Sequence, residues 1–403
     1  MLTLIMIVKN EAETIRSTLE SVIGVIDRWY ILDTGSTDGT QEAIKMAMHG
    51  IPGKLASGPF EDYSQARNLC IEGAQEFTNN ESFLLELSGT ERLANPLALR
   101  HFMQNMSFSK MMVSARVARE HTAYQLRVQL GNNIYPHVRL YHPGYGWRYK
   151  GRTHEVLAGP YNTLGPVISG PMVRHLGKPG GEDKTERWTA DLALLRLDML
   201  DAPDDPRPVF YSARTHMLLG NTWEALGLFE KRIEMGGWAE ERYIAHLYSG
   251  RMLMVMAARV EQGKEYTAKL QESNKQQALD HFTRAYELNP KRVEATHELC
   301  VFHMNEGRKA TAHLFAEDAY HHVMTATGAE RGPPDVLFAE RDMYNWKIFD
   351  DYASTAFYVG LIRQGRHAAE KAVVGNPSDE RIRANLELYQ RHNDDGTTSA
   401  KLD

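Results

Sequence analysis

Cysteine is almost absent. Cys70 and Cys300 are the only two in 403 residues, and they stand far apart in helical, half-apolar contexts. That excludes a disulfide framework and any cysteine-based metal spacing, and a reduced, cytoplasmic compartment is the default expectation. A polybasic tract is missing as well: charged residues make up 24% of the chain and the formal net charge is −6. The charge pattern therefore demands neither a nucleic-acid nor a membrane-surface partner. Long hydrophobic runs are also lacking. The apolar start, Met1 to Val8, is short and runs at once into charged residues, so it reads as neither a signal peptide nor a membrane span. The length is too great for one ordinary core and predicts two or three domains.

Texture changes once, near residue 180. Before it, short apolar runs such as Phe83-Leu84-Leu85 and Met111-Met112-Val113 alternate with helical patterns and Gly/Pro turns, which predicts an α/β domain over residues 1–180. After Pro179-Gly180-Gly181 the strand pattern disappears. From Lys184 to about Tyr389 apolar residues recur at helical spacing, broken by short turns such as Pro203-Asp204-Asp205-Pro206. Ala278, Phe282, Ala285 and Pro290 follow the small/large/small/Pro pattern of the second helix of a tetratricopeptide unit, and Leu219-Gly220-Asn221 with Ala225 and Phe229 repeats part of it. Gly307-Arg308 after a helix does the same. An all-α, tetratricopeptide-like repeat domain is thus predicted over residues 181–392, with a disordered tail at 393–403.

The densest chemistry lies near the start. A strand from Leu2 to Val8 runs into the polar turn Lys9-Asn10-Glu11 and a helix. A second strand, Trp29 to Leu32, ends in Asp33-Thr34-Gly35-Ser36-Thr37-Asp38-Gly39-Thr40. This is the pattern of a nucleotide-binding half-fold, in which ligands collect at the carboxyl ends of the strands. Glu11, Asp33 and Asp38 would project into one crevice, where carboxylates accept from ribose hydroxyls and base N–H groups. The plainer alternative is that Asp33 and Asp38 only shape the turn and cap the helix starting near Thr40.

Both motifs resemble those that open family 2 glycosyltransferases, whose GT-A domains begin with I-V-K-N-E and then D-T-G-S-T-D-G-T. The likeness continues through Phe60-Glu61-Asp62-Tyr63-Ser64-Gln65-Ala66-Arg67-Asn68 and His137-Val138-Arg139-Leu140-Tyr141. It goes on through Trp147-Arg148-Tyr149-Lys150-Gly151-Arg152-Thr153-His154-Glu155, Val173-Arg174-His175-Leu176-Gly177, and the C-terminal Leu337-Phe338-Ala339-Glu340, Tyr344-Asn345-Trp346 and Asp350. These latter segments are similar to members that carry tetratricopeptide repeats. The resemblance implies a nucleotide-sugar donor, a UDP sugar first among them, lined by Val8, Lys9, Glu11, Asp33, Asp38, Arg67, Ser88, Thr90 and His175. Arg67 would offer a planar, permanently charged fork to the diphosphate. The implied reaction is an inverting displacement by an acceptor nucleophile, with Glu155 as base beside His154. The plain alternative for Glu155 is a solvated turn residue paired with Arg152 or His154.

One departure matters. In Phe83-Leu84-Leu85-Glu86-Leu87-Ser88-Gly89-Thr90-Glu91 the family would show L-D-A-D-E, the D-x-D that holds Mn²⁺ or Mg²⁺, and here Ser88 and Thr90 replace both aspartates. A hard dication wants anionic oxygen ligands. Three readings stay open: a donor held without metal, using Arg67, Lys9 or His175; a weaker metal site built from Glu91 and His175; or a sugar-nucleotide-binding pseudoenzyme or helical scaffold. The acceptor is a peptide or protein, a glycan or, ranked below these, a hydroxylated nucleic-acid base. The helical layer would present that acceptor or form a homodimer, and Trp223, Trp238, Tyr243 and Arg251 are its candidate contact residues, with core packing as the plainer role.

Overall fold

The computed structural model describes residues 1–79, 82–112, 121–131, 133–177, 184–259, 265–325 and 336–391. Strand β1 (Leu2–Val8) is a continuous apolar run buried along almost its whole length, as a central parallel strand should be. It pairs in parallel with β2 (Arg28–Asp33) on one side and β4 (Phe83–Glu86) on the other, and β2 pairs in parallel with β3 (Gly53–Ser57). The sheet is completed by β5 (Glu91–Ala94), β6 (Ala123–Leu130), β7 (Asn133–Tyr141) and β10 (Leu164–His175). Its order is β3-β2-β1-β4-β7-β6-β10-β5, eight strands among the described residues. A separate antiparallel pair joins β8 (Arg148–Lys150) to β9 (Val156–Ala158). Strand order reverses at β1, so a crevice opens where the carboxyl ends of β1, β2 and β4 meet.

The period-two alternation of β1 divides the core. Leu4, Met6 and Val8 pack with Ile15 and Leu19 of α1 (Ile15–Glu20), Ile44 of α2 (Thr40–Ala47) and Leu99 of α4 (Pro96–Met112). Ile5 faces the other way, into Ala66, Cys70 and Ile71 of α3 (Tyr63–Ala74) and the rings of Trp147 and Tyr149. One expectation is corrected. Met111 and Met112 read as a strand-like run, yet they form the last turn of α4. A short apolar triplet does not distinguish helix from strand, and the helix that begins at Pro96 simply runs through it. Val113, the Pro179-Gly180-Gly181 break and the tail at 393–403 lie outside the described residues.

After His175 no described residue is in a strand. The helices are α5 (Thr185–Asp201), α6 (Pro206–Leu218), α7 (Thr222–Glu234), α8 (Ala239–Ala258), α9 (Glu265–Leu288), α10 (Val293–Asn305), α11 (Lys309–Thr325), α12 (Ile348–Tyr358), α13 (Ile362–Gly375) and α14 (Glu380–Arg391). The chain divides into two compact units, Met1–Thr215 and His216–Asp403, so α5 and most of α6 belong with the sheet. In the second unit Ala278, Phe282 and Ala285 of α9 and Ala225 and Phe229 of α7 are all buried at the positions the repeat spacing assigns to the core. Gly220 and Gly307 take φ values of 79° and 74° in the turns that close α6 and α10, which a left-handed residue without Cβ does cheaply. Tyr243 is a core residue, Arg251 is ion-paired to Glu298 and Glu340, and Trp223 and Trp238 are exposed. Among the described residues no helix is long and apolar enough to cross a membrane.

Candidate functional site

The two loops at the carboxyl ends of β1 and β2 are stitched together. Asn10, at φ 53°, donates its N–H to Ser36 Oγ (2.9 Å) and accepts from Thr37 N through Oδ1 (2.9 Å). Glu11 N donates to Thr40 Oγ1 (2.7 Å), and Ala12 N to Asp38 Oδ2 (3.0 Å). Asp38 Oδ1 accepts from the Thr40 N–H and hydroxyl, so this carboxylate ties the turn that leads into α2. Val8 accepts from Thr34 N at 3.0 Å, and Lys9 beside it is exposed. Asp33 is fully buried. Its Oδ1 accepts from Gly35 N and Ser36 N, both at 2.7 Å, whereas its Oδ2 has no hydrogen-bond partner. One oxygen builds the turn and the other is left as an acceptor without a donor.

The Ser88-Gly89-Thr90 turn lies against Glu11, since a Cβ on Gly89 would stand 2.7 Å from Glu11 Cγ. Glu11 Oε2 itself accepts from Thr14 Oγ1 at 2.9 Å. Glu91 is committed on both oxygens: Oε2 accepts from Ser88 N (2.8 Å), and Oε1 is ion-paired with Arg139 Nη2 (2.6 Å). His175 Nδ1 accepts from Gly177 N at 3.2 Å, so its Nε2 carries the hydrogen and donates to Thr90 Oγ1 at 3.1 Å. Among the described residues no three His, Cys, Asp or Glu side chains are grouped to hold a metal. With two neutral hydroxyls and a glutamate already neutralised by an arginine, this turn does not fit a hard dication.

A buried charge lattice lies on the α3 face of the sheet. The alternation along β4 turns Leu85 and Leu87 to one core and Glu86 to the other, toward Arg67 in the second turn of α3. Arg67 Nη1 is ion-paired with Glu86 Oε1, its Nε with Glu155 Oε1 at 2.5 Å, and its guanidinium lies 5.2 Å from the centre of the Tyr149 ring. Burial pushes the Glu86 carboxyl up, against the pull of Arg67 and Arg139. Glu86 Oε2, Arg139 Nε and the hydroxyls of Tyr141 and Tyr149 are buried with no hydrogen-bond partner. Asn68 clips α3 to β8, donating to Tyr149 O (3.0 Å) and accepting from Tyr149 N (2.8 Å). Arg67, expected at the diphosphate, thus joins Glu155, expected as the base, to Glu86. Sequence reasoning missed the roles of Glu86 and Arg139. The signal was an acid inside the otherwise apolar run Phe83 to Leu87.

His154 follows at φ 50°, its ring stacked on Tyr211 at 4.2 Å and 14°. Burial and the nearby Arg214 push its imidazole down to about 4, so it is neutral at physiological pH.

Residues 3–76, which contain both stitched loops and Arg67, match the model of glycosyl transferase family 2. The helical half resembles solved tetratricopeptide proteins. One is a thermophilic TPR protein of Thermus thermophilus, 16% identical, covering 51% of this chain and 92% of that one, with a TM-score of 0.33. Another is the C-terminal part of a TPR repeat-containing protein from Cytophaga hutchinsonii, 12% identical, covering 52% and 68%, with a TM-score of 0.36. No curated protein matches the chain. The chain therefore combines a mixed-sheet unit, whose residues 3–76 match the family 2 glycosyltransferase model, with a unit built of many helices.

Proposed function

We propose that the sheet unit transfers a glycosyl group from a nucleotide sugar, a UDP sugar first among candidates, to an acceptor nucleophile with inversion. The observation that carries this reading is the meeting of Glu155, far outside the matched segment, with Arg67, inside it, at the carboxyl edge of the sheet. Asp33 Oδ2, a buried acceptor without a donor, would take a base N–H once the turn around it opens to the nucleotide, and Glu11, beside the Ser88-Gly89-Thr90 turn, is the acceptor assigned to a ribose hydroxyl. The acceptor's O–H attacks the anomeric carbon, its proton passes to Glu155, and the bonding pair of the broken C–O bond leaves with the nucleoside diphosphate. Lys9, exposed at the carboxyl end of β1, is the cation assigned to meet that departing charge; His175 would join it only by giving up its bond to Thr90, and no step is routed through a metal. The acceptor is a peptide or protein, or a glycan. A hydroxylated base in nucleic acid ranks below them.

The test is calorimetry of the full-length chain with UDP and a panel of UDP sugars, in EDTA and again in Mn²⁺, while free UDP is followed. Binding in EDTA is expected. Asp33→Asn should weaken it by about 1–3 kcal/mol, the cost of losing a buried acceptor. Glu155→Gln should leave binding intact and lower turnover by about 10²–10⁴. Failure of every nucleotide to bind would sink the reading. A second reading, a nucleotide-sugar-binding protein without transfer, is favoured by the commitment of Glu91 to Arg139 beside Ser88 and Thr90. It expects binding, no UDP release, and no effect of Glu155→Gln.

A further inference from the structure

The turn that carries Glu155 is built largely by the first two helices after the sheet. Arg152 N and Nη1 both donate to Asp198 of α5 at 2.8 Å, and Thr153 Oγ1 donates to Asp191 of α5 at 2.9 Å. Arg152 O accepts from Tyr63 N at 2.9 Å, at the start of the helix that holds Arg67. Next comes His154, a residue with a side chain held at positive φ, which persists only where its surroundings over-determine it. Its surroundings are α6. Arg207 donates to His154 O through Nε (3.2 Å) and Nη2 (3.0 Å), and the imidazole lies flat on Tyr211 one helical turn further on. Arg207 also caps that ring, its guanidinium 4.8 Å from the centroid, with Arg214 at 5.9 Å.

We propose that Arg207 and Tyr211 are positioning residues that clamp His154 in its left-handed conformation and so aim Glu155 at the reacting centre. This rests on the transferase reading above. Carbonyl and ring of one residue are gripped by two side chains four apart on one helix, which fixes the peptide plane leading into Glu155. Without the grip, His154 relaxes toward ordinary φ and the plane turns, carrying the carboxylate away from Arg67. A misplacement of about 1 Å at a reacting group costs roughly 10²-fold in rate. The helices that follow the sheet thereby take part in transfer, although neither α5 nor α6 supplies a reacting atom.

The experiment compares the full-length parent with Arg207→Met, Arg207→Lys and Tyr211→Leu. It measures UDP affinity by calorimetry, UDP release from whichever UDP sugar the parent turns over, and the His154 imidazole resonance, assigned with His154→Gln. Arg207→Met and Tyr211→Leu should keep UDP affinity within about twofold and lower kcat by about 30- to 100-fold at unchanged donor KM. Arg207→Lys should recover part of the loss, and the His154 titration should move from near 4 toward the ordinary range in Tyr211→Leu. Parental kcat in a variant whose His154 has been released would overturn the positioning role. So would a fall in UDP affinity that matches the fall in kcat, since that marks general damage to the unit. An unmoved His154 resonance would remove the clamp itself. If the parent binds UDP and turns over no sugar, the transferase reading fails by itself, and the His154 resonance still decides whether the clamp exists.

Discussion

Arg67 keeps a side chain only 15% exposed while facing Glu86 at 3% and Glu155 at 13%. Buried pairs of this kind contribute little net stability over a hydrophobic substitute, but removing one partner strands the other. Arg67→Met should therefore destabilise the sheet unit by about 3–5 kcal/mol, and Arg67→Met with Glu86→Leu should recover most of it, both read from urea midpoints. Equal losses in the single and double variants would show that Glu86 is not the stranded charge. At this scale the sequence was legible where a motif is local. Asp33 and Asp38 sit in the predicted turn; both oxygens of Asp38 tie that turn, while Asp33 uses one oxygen for it and keeps the other buried without a donor. It was not legible where a partner comes from afar: nothing near Glu91 in the chain announces Arg139.

Elements follow from periodicity wherever a face is long. The spacing of Ala278, Phe282 and Ala285 identified the buried side of α9, and contact with α8 then explains a glycine no pattern required. A Cβ on Gly250 would lie 2.5 Å from Phe282 Cε1, so the ring seats only against a bare backbone. Gly250→Ala should cost about 1–3 kcal/mol by overpacking, and pairing it with Phe282→Leu should return part of that, again by urea denaturation. No recovery would mean that the strain lies elsewhere. The Met111-Met112 run shows the opposite case, because three apolar residues carry no period of their own and the helix they extend decides their state.

The whole molecule should be sensitive to acid. His246, 8% exposed on α8, is pushed down to about 4 by burial and by His281, whose Nδ1 lies 3.0 Å from its own; His281 also pairs with Glu230 at 3.1 Å. In the sheet unit, burial and the neighbouring Arg139 push His137 down to about 3. Folded imidazoles that resist protonation bind fewer protons than the unfolded chain. Their stability is fully present above about 6.5 and is lost as pH falls from there toward 4, at about 1.4 kcal/mol per unit per group. Thermal midpoints should fall over that window. His246→Phe should flatten the dependence of the helical transition while lowering its midpoint near neutrality, where His281 loses a partner. A slope that is unchanged in the variant would assign the acid response to other groups. With two compact units, the two transitions are to be resolved separately rather than fitted as one.

By itself, the sequence determined the order of an α/β unit followed by helices, the crevice loops with Asp33 and Asp38, and the buried faces of the repeats. Each of these is written in residues close together in the chain, through alternation, turn chemistry and helical spacing. Tertiary structure alone decided that Arg67 answers two glutamates, that Glu91 is held by Arg139, that α5 and most of α6 fall in the same compact unit as the sheet, and that His154 is gripped by Arg207 and Tyr211. Charges and rings act over a few ångströms of space whatever their separation in sequence, so which of them meet is settled only when the strands and helices have packed.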